Sequence, residues 1–312
     1  MTQIDMFSVM YPKFIINKPI RLIELFAGIG AQAKALENIG ADFEHWRAIE
    51  VDKYPMASYN AVHGTTFEPQ DICNVHASDL DIRDTDKYCY ILTYSFPCQD
   101  LSISGNLKGM SKGSGTRSGL LWEVERILDE CNGNLPQVLL MENVTQVIAE
   151  RNIKDFQQWR AKLESLGYQN YVDCLNAKDF GIPQNRNRCF MVSILGNYSY
   201  TFPKGEELQL RLKDMLEDEV DEKYFLSDKM LDSILRGGSK DFYQKPEIDL
   251  DIARPLTATM HKMHRAGCDN YVSEEFVHGG ERLLIKEDSK KGFSVARGGT
   301  EYISTDLTKK EE

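Results

Sequence analysis

One cysteine lies where a nucleophile would be useful. Cys98 stands in the segment Ser95-Phe96-Pro97-Cys98-Gln99, just after the apolar run YCYILTY, and a long polar loop follows it. A cysteine attacks as the thiolate, so it becomes reactive where its surroundings favour that form. Open α/β sheets place their active sites at the carboxyl ends of strands. Most cysteines are inert core residues, but this position predicts that Cys98 is the reactive one.

Charged side chains flank two other apolar runs. Glu142 comes directly after QVLLM, and Arg186 and Arg188 stand just before CFMVSIL. A positioned carboxyl group can act as a general acid, and a planar guanidinium can hold several acceptors at once. Taken alone, these residues are explained at least as well by an ordinary ion pair.

A glycine turn joins the first apolar run to the first amphipathic segment. Gly28 and Gly30 lie in ELFAGIGAQA, and Glu50 follows Gly30 by twenty residues, at the end of the next apolar run. Glycines let a ligand approach the backbone, a helix N-terminus offers free N–H groups, and an acid at this spacing can bind ribose hydroxyls. The pattern indicates a nucleoside cofactor, either a dinucleotide or S-adenosylmethionine, and is also compatible with a plain tight turn.

Short apolar runs alternate with amphipathic segments from residue 20 to about residue 200. Strands that alternate with helices indicate βαβ units and a parallel sheet. Apolar residues recur at helical spacing in 120–131 and 156–167, which predicts core-packing helices there. The polar loop 98–119 is long enough to be functional or disordered. After about residue 203 the alternation weakens, so we expect a smaller and less regular second domain.

The overall charge limits how this chain can meet nucleic acid. There are 37 Lys+Arg against 48 Asp+Glu, a net charge of −11, which argues against binding by bulk electrostatics but leaves room for a local basic cleft. Two stretches, 108–117 and 254–268, carry basic residues and no acid. Solvated loops would explain each of them as well.

The seven cysteines are odd in number and form no CxxC pair. This composition argues against a disulfide framework and a zinc knuckle, and we expect no metal site. No stretch approaches the ~18 apolar residues of a membrane span. The N-terminus lacks the features of an export signal, so the expected location is the cytoplasm.

In their order along the chain, these motifs resemble the conserved blocks of the DNA (cytosine-5)-methyltransferase family. The matching blocks run from about residue 20 to 195 and are FAGIG, Glu50-Val51-Asp52, Asp71-Ile72, PCQ with SISG, RSGLLWE, ENV and LNAKDFGIPQNRNR. The resemblance implies a Rossmann-like, S-adenosylmethionine-dependent α/β sheet with a smaller, irregular DNA-recognition domain. The implied domains are an N-terminal extension (1–19), a catalytic and S-adenosylmethionine-binding domain (20–203) and a target-recognition region (204–312).

The function implied by the resemblance is methyl transfer from S-adenosylmethionine to C5 of cytosine in a specific duplex DNA sequence. The reaction would proceed through a covalent bond between Cys98 and C6 of a flipped base. Such enzymes occur in restriction-modification systems and in phages, so the expected setting is the cytoplasm of a bacterial or phage-infected cell. The recognised sequence cannot be decoded from side-chain types alone.

The resemblance also assigns roles to individual residues. Those implied in catalysis are Cys98, Glu142, Arg186 and Arg188. Those implied in cofactor binding are Phe26, Gly28, Gly30, Glu50, Val51, Asp71, Ile72 and Pro97. Those implied in DNA binding are Gln99, Ser102, Lys108, Arg117, Gln184, Arg254 and Thr257, of which the last two lie in a segment resembling the family's threonine-leucine element.

Two family blocks have no counterpart in the sequence: an arginine-leucine-threonine segment leading into a helix, and an Asn-Ser-Val block. The family uses the second block to complete the cofactor pocket. An alternative expectation is therefore a truncated or split enzyme, a catalytically idle DNA-binding subunit that needs a complementing C-terminal polypeptide.

Two other functions agree with part of the sequence. A nicotinamide-dependent dehydrogenase would explain the glycine turn and Glu50, but it leaves PCQ, ENV and QNRNR without a role. An RNA substrate would suit the same chemistry, because addition at C6 works on any pyrimidine.

Overall fold

The computed structural model describes residues 11–101, 109–221, 225–227, 229, 234, 238–239, 242–243, 247–257, 267–273, 276–277, 293–296 and 300–303. The predicted DNA contacts Ser102 and Lys108 lie outside the described residues. The chain divides into two compact units. The first unit is formed by the residues up to Leu175 with Asn187–Pro203, and the second by Asn176–Arg186 with the residues from Lys204 onward. Residues 176–186, which the sequence placed in the catalytic domain, thus belong to the second unit.

The first unit is built on a six-stranded sheet. Its strands are β1 (Ile20–Leu25), β2 (Phe43–Ile49), β3 (Cys89–Tyr94), β4 (Val138–Val144), β5 (Tyr168–Asn176) and β6 (Asn187–Leu195), in the order β2-β1-β3-β4-β6-β5. The pairs β1/β2, β1/β3 and β3/β4 are parallel.

The sequence predicted a parallel sheet, and β6 departs from this prediction because it runs antiparallel to β4. Only residues 177–186 connect β5 to β6. A parallel neighbour needs a crossover of roughly a dozen or more residues. The short connection therefore makes the chain reverse direction, and the sheet is mixed.

Five α-helices are present among the described residues. They are α1 (Ala31–Asn38), α2 (Lys53–His63), α3 (Ala77–Leu80), α4 (Leu121–Glu130) and α5 (Ile153–Ser165). Short 3₁₀ helices cover Ile72–Asn74, Ser118–Leu120, Thr145–Ile148, Ala177–Phe180 and Leu212–Met215. The predicted helices over 120–131 and 156–167 are confirmed as α4 and α5. None of these described helices has the length and apolar character needed to cross a membrane.

The apolar faces of α4 and α5 form the core with the central strands. Trp122 from α4 and Trp159 from α5 pack edge to face, and Trp159 donates from Nε1 to the hydroxyl of Tyr94 on β3 at 3.0 Å. Trp159 and Tyr94 are both fully buried. A buried polar atom costs free energy unless it is paired, so this hydrogen bond satisfies both groups. The core thus fixes the end of β3, from which the Cys98 loop continues.

The second unit contains two small sheets among its described residues. Strands β9 (Asn270–Ser273), β10 (Phe293–Ala296) and β11 (Thr300–Ile303) form one sheet in the order β10-β11-β9, and β7 (Gly238–Ser239) pairs with β8 (Phe242–Tyr243). Leu212, Ala253 and Val272 form a buried apolar cluster in this unit.

Gly30 marks the closest approach between the glycine turn and α2. Its φ is +81°, and a Cβ built there would lie 2.3 Å from His63 Nε2 and 2.7 Å from Tyr59 Cε2. Gly40, at the other end of α1, has a φ of +67° and no atom within 4 Å of such a Cβ. Both glycines have a positive φ, but only at Gly30 would a side chain also clash with neighbouring atoms.

We predict that Gly30→Ala destabilises the protein more than Gly40→Ala. The left-handed backbone should cost either variant about 1–2 kcal/mol. The clash with His63 and Tyr59 should add about 1–3 kcal/mol at Gly30 alone. Urea unfolding of both variants and the wild type measures the difference. A Gly30→Ala protein as stable as Gly40→Ala would show that α2 does not pack against this turn as described.

Candidate active site

Strand register aligns the predicted chemical segments at one edge of the sheet. Leu25 at the end of β1 pairs with Ile49 on one side and with Tyr94 on the other, and Tyr94 pairs with Met141 of β4. The residues that follow these positions therefore lie in one line: Glu50, Phe26, Ser95 and Glu142. The structure thus brings the glycine turn, the start of the Cys98 loop and the ENV segment to the same carboxyl edge.

Two buried side chains hold the loop that carries Cys98. Asn143 Nδ2 donates to the carbonyl oxygen of Phe96 at 2.9 Å, and Ser118 Oγ donates to that of Pro97 at 2.7 Å. Cys98 itself is half-buried, and its carbonyl accepts from the Leu101 N–H at 3.0 Å. The backbone on the N-terminal side of the thiol is therefore fixed from both β4 and the 3₁₀ helix before α4.

Asn143 is a functional candidate that the sequence analysis missed. It is 2% exposed, and its Oδ1 accepts from the Val144 N–H at 2.9 Å while its amide holds the Phe96 carbonyl. This side chain couples the strand that carries Glu142 to the loop that carries Cys98. An amide directly after a strand-end acid was the available signal, but its partner comes from a distant segment that only the fold identifies.

Five other thiols are poorly suited to act as nucleophiles. Burial raises the pKa of Cys89 and Cys131 to about 11 and that of Cys189 to about 12. Burial also raises the pKa of Cys73 and Cys174. A raised pKa keeps a thiol protonated, and the thiolate is the attacking species. This argues against five of the six other cysteines, and Cys268 belongs to the second unit, whereas Cys98 follows a strand of the six-stranded sheet.

Glu142 and Arg188 form an ion pair across neighbouring strands. Arg188 Nε lies 3.1 Å from Glu142 Oε1, and both side chains are 20% exposed. The antiparallel register, which pairs Val144 with Arg188, places the two side chains together. The ordinary ion pair considered from the sequence is thus present, and it fixes one carboxylate oxygen at the edge of the sheet.

Arg186 belongs to the second unit. Its N–H donates to the Gln184 carbonyl at 2.9 Å, and its own carbonyl accepts from the Ala177 N–H at 3.0 Å. Its backbone therefore closes the short connection between β5 and β6. Two of the four predicted catalytic residues, Glu142 and Arg188, are in direct contact.

The glycine turn and Glu50 are joined by backbone hydrogen bonds. Glu50 Oε2 accepts from the Gly28 N–H at 3.0 Å, and Oε1 accepts from the Asp52 N–H at 2.9 Å. Phe26 has a φ of 59°, an unusual value for a residue with a side chain, and Gly28 has a φ of +57°. Strained backbone of this kind clusters at ligand-binding turns. The Glu50 carboxylate is therefore held by a hydrogen bond to a turn in which two residues have positive φ angles.

The surroundings of Gly28 fit a nucleoside cofactor. Among the described residues, no atom lies within 4 Å of where a Cβ would stand at Gly28, beside the fixed carboxylate of Glu50. Val51 is 66% exposed next to it. Asp71 is exposed and accepts from the Cys73 N–H at 3.0 Å.

Two predicted cofactor contacts have other roles in the structure. The Ile72 side chain is 4% exposed within the hydrophobic core, so it offers almost no side-chain surface to an adenine. Gly30 faces α2, and what the structure shows there is helix packing. An approach of the cofactor to Gly30 stays a prediction.

A buried acid underlies the turn. Glu24 on β1 is fully buried, and it accepts from the Tyr59 hydroxyl at 2.6 Å and from the Ala33 N–H at 3.3 Å. Burial raises the pKa of the Glu24 carboxyl, and the Tyr59 hydrogen bond opposes that rise. Gln32, the residue before Ala33 on α1, donates from Nε2 to Ser95 Oγ at 3.1 Å, which ties α1 to the start of the Cys98 loop.

The described ends of the long loop are clamped together. Asp100 Oδ2 accepts from the Ser118 N–H at 3.2 Å, Ser118 Oγ accepts from the Asp100 N–H at 3.3 Å, and the Gly109 N–H donates to the Asp100 carbonyl at 3.0 Å. Gln99 and Arg117 are exposed. Lys112, which lies in the basic stretch 108–117, pairs with Glu125 of α4 at 2.6 Å. That lysine anchors the loop to the helix.

In the second unit, two predicted DNA-binding segments lie side by side. The Asn185 N–H donates to the Ala253 carbonyl, and the Ala253 N–H donates to the Pro183 carbonyl, each at 2.8 Å. Gln184 thus neighbours Arg254. The Arg254 guanidinium, however, donates to the Asp269 carbonyl at 3.0 Å and pairs with Glu247. The structure therefore gives Arg254 a role within its own unit, whereas Thr257 is exposed.

Comparison with known proteins identifies the family. Residues 20–284 match the family model of the C-5 cytosine-specific DNA methylases. The orphan methyltransferase M.SssI of Spiroplasma monobiae is 39% identical over 68% of this chain and 68% of its own length. The type II methyltransferase M2.ScrFI of Lactococcus lactis subsp. cremoris is 34% identical over 68% of this chain and 71% of its own.

Solved structures show the same fold. The S. pombe Dnmt2 methyltransferase aligns with a TM-score of 0.63 at 23% identity, covering 80% of this chain and 76% of its own. The Entamoeba histolytica methyltransferase EhMeth aligns with a TM-score of 0.63 at 19% identity, covering 81% and 76%. The predicted Rossmann-like methyltransferase fold is confirmed.

The matches leave the dehydrogenase alternative without support and confirm S-adenosylmethionine as the methyl donor. The type II names among the relatives agree with the predicted link to restriction-modification systems. The chain therefore belongs to the C-5 cytosine-specific DNA methylases, the family of enzymes that methylate C5 of cytosine in DNA.

Proposed function

We propose that this chain methylates cytosine in a specific duplex DNA sequence through a covalent intermediate between Cys98 and C6 of a flipped base. The observation that carries the proposal is the hydrogen bond from Asn143 to the Phe96 carbonyl at 2.9 Å. It links the Cys98 loop to the strand end where Glu142 stands. A nucleophile and an acid on two linked segments suit addition to an electron-poor ring.

The proposed reaction begins with the Cys98 thiolate, because C5 of cytosine alone is too weak a nucleophile. The sulfur forms a bond to C6 while Glu142 protonates or hydrogen-bonds N3, so the charge that develops on the ring is stabilised. The methyl group for the activated C5 would come from the sulfonium of bound S-adenosylmethionine, which would leave as S-adenosylhomocysteine. A base then removes the C5 proton, the C6–S bond breaks, any proton on N3 returns to Glu142, and the thiolate of Cys98 is regenerated.

The two arginines support this step in different ways. Arg188 contacts Glu142 and holds one carboxylate oxygen, so we assign it the positioning of the acid. Arg186 is proposed to hold the carbonyl of the cytosine, as the family resemblance implies. A planar guanidinium suits this task because it offers several donors in fixed directions.

The cofactor is proposed to bind at the glycine turn. Glu50 would bind the ribose hydroxyls, Phe26, Gly28 and Pro97 would lie near the methionine end, and Val51 and Asp71 would contact the adenine. Gly28 supports this placement because no atom of the described part of the chain lies within 4 Å of a Cβ built there. Glu50 supports it because its two backbone hydrogen bonds orient the carboxylate.

The DNA must deliver an unstacked base, because C6 cannot be attacked inside a duplex. Gln99 and Arg117, at the described ends of the loop that follows Cys98, are proposed to meet the DNA, and so are Ser102 and Lys108, which lie outside the described residues. Gln184 and Thr257 are the proposed contacts of the second unit. Arg254 is proposed to shape that surface through its bonds to Glu247 and Asp269.

We predict that Cys98→Ser abolishes methyl transfer, because an alcohol of much higher pKa cannot add to C6. The assay follows radioactive methyl transfer from S-adenosylmethionine to genomic DNA, with Cys174→Ser as the matched control. Duplex DNA containing 5-fluorocytosine should also stay attached to the wild type on a denaturing gel, because fluorine cannot leave C5 as a proton does. Transfer by Cys98→Ser above a few per cent of wild type would refute the covalent route. DNA binding without transfer by the wild type would instead favour a subunit that needs a complementing polypeptide.

For Glu142→Gln we expect transfer to fall by roughly 10² or more, the usual loss on removal of a positioned general acid. Binding of S-adenosylmethionine should hardly change, because Glu142 is not a proposed cofactor contact. Glu150→Gln, an exposed acid close in sequence, is the control. Unchanged single-turnover rates in Glu142→Gln would remove the acid from the mechanism.

Glu50→Ala should weaken S-adenosylmethionine binding by about 10-fold or more, because a charged hydrogen bond contributes ~1.5–3 kcal/mol. Equilibrium dialysis of the cofactor measures this, and Glu68→Ala, exposed and nearby in sequence, is the control. Equal affinity in wild type and Glu50→Ala would exclude the ribose role.

A further inference from the structure

Three potential metal ligands meet on the outer side of the glycine turn. Glu37 comes from α1, His45 from β2 and His63 from α2, and one ligand atom of each lies within 4.8 Å of the others. Glu37 Oε1 is 2.7 Å from His63 Nδ1 and 3.8 Å from His45 Nε2. The His63 side chain is fully buried, and those of Glu37 and His45 are 29% and 18% exposed.

The contacts of His45 leave its Nε2 available as a ligand. Its Nδ1 lies 2.9 Å from the Tyr59 hydroxyl, which donates its own proton to Glu24 Oε2 at 2.6 Å. The hydroxyl therefore accepts from His45 Nδ1–H. The proton on Nδ1 leaves a lone pair on Nε2, directed toward the carboxylate of Glu37. Two electron-rich atoms that face each other in this way favour a cation between them.

His63 contacts the same carboxylate through its Nδ1, which donates to Glu37 Oε1 at 2.7 Å, and its Nε2 lies 3.3 Å from the carbonyl oxygen of Ile29. An ion would displace the proton from Nδ1, and a proton on Nε2 could then be donated to the Ile29 carbonyl. Histidines that bind metal almost always donate their other N–H to a carbonyl or a similar acceptor. With an ion in place, both histidines would thus have the outer contacts of metal ligands.

The distances agree with a small rearrangement around one ion. Zinc binds histidine and carboxylate ligands at about 2.0–2.2 Å, which places donors roughly 3.3 Å apart in a tetrahedron. The observed separations of 2.7 and 3.8 Å lie on either side of that value. A His₂Glu set is also a known zinc ligand set, with the fourth position left to water.

One neighbouring cation competes for the same acid. Lys34 Nζ lies 2.7 Å from Glu37 Oε2, and its hydrogen bond, with that of His63, lowers the pKa of Glu37 to about 2. Glu37 is therefore ionised, as a ligand must be. The Lys34 side chain is 56% exposed and can turn into solvent when an ion binds.

We propose that Glu37, His45 and His63 bind one zinc ion or a similar divalent transition-metal ion. The outer contacts of the site end on the glycine turn, through the Ile29 carbonyl from His63 and through Tyr59 and Glu24 from His45. The ion would thus brace α1, β2 and α2 against that turn. The site is independent of the methyl-transfer proposal, because it needs neither cofactor nor DNA.

The test treats the full chain with a chelator and then measures its binding of zinc by equilibrium dialysis. Glu37→Gln and His45→Gln remove one ligand each, and His76→Gln, an exposed histidine paired with Glu130, is the control. We expect one zinc ion per wild-type chain, and affinity reduced by more than about 10-fold in both ligand variants, since even outer contacts of a metal site are worth 10–100-fold. His76→Gln should bind as the wild type does.

A second measurement excludes binding by thiols. Cobalt(II) in the site should give visible d–d bands without the near-ultraviolet charge-transfer band of a thiolate ligand, and zinc should raise the melting temperature of the wild type but not of Glu37→Gln. Glu37 is part-exposed, so this variant remains informative even if His45→Gln fails to fold. Equal zinc affinity in wild type and Glu37→Gln, absence of zinc binding, or a thiolate band would each overturn the proposal.

Discussion

Parallel pairing of β1 with β2 and β3, and of β3 with β4, is the constraint on which the site depends. Strands that run the same way end at the same edge, and the register places Leu25, Ile49, Tyr94 and Met141 in one row. Whatever follows these residues must lie nearby, although the segments are far apart in sequence. A slip by one residue in β4 would turn Glu142 to the other face of the sheet.

Hydrogen bonds from polar side chains hold the loops at this edge of the sheet in place. Asn143 and Ser118 satisfy carbonyl groups of the Cys98 loop, and Gln32 joins that loop to α1. Beneath the turn, the Glu24 carboxylate is fully buried, and it accepts hydrogen bonds from the Tyr59 hydroxyl and the Ala33 N–H. Leaving any one of these buried groups without its partner costs more than the bond itself contributes, so each contact also specifies a single geometry.

Local patterns in the sequence predict the helices and strands well, but they predict poorly which strands and side chains pair with one another. Apolar spacing predicts α4 and α5 because one face of each helix must enter the core, and strand-end positions single out Cys98 and Glu142. The antiparallel direction of β6 follows from the short connection between β5 and β6, which is too short for the crossover that a parallel strand would need. The pairing of Lys112 with Glu125 and of Arg254 with Glu247 was also unpredictable, because a basic residue has the same appearance in sequence whether it meets an acid or a phosphate. Glu37, His45 and His63 form no spacing motif, since each comes from a different element.

Three basic residues in the predicted functional segments are used in internal ion pairs. Lys112, Arg188 and Arg254 lie in segments that a polyanion would attract, yet each is paired with a carboxylate. Lys112 organises the loop, Arg188 holds Glu142 and Arg254 holds the segment beside Gln184, and the charge of each is balanced locally. With a net charge of −11, long-range attraction to phosphates is weak. Under the proposed mechanism, productive binding then depends on positioned contacts, on capture of the flipped base and on the covalent step, which favours the correct sequence over bulk DNA.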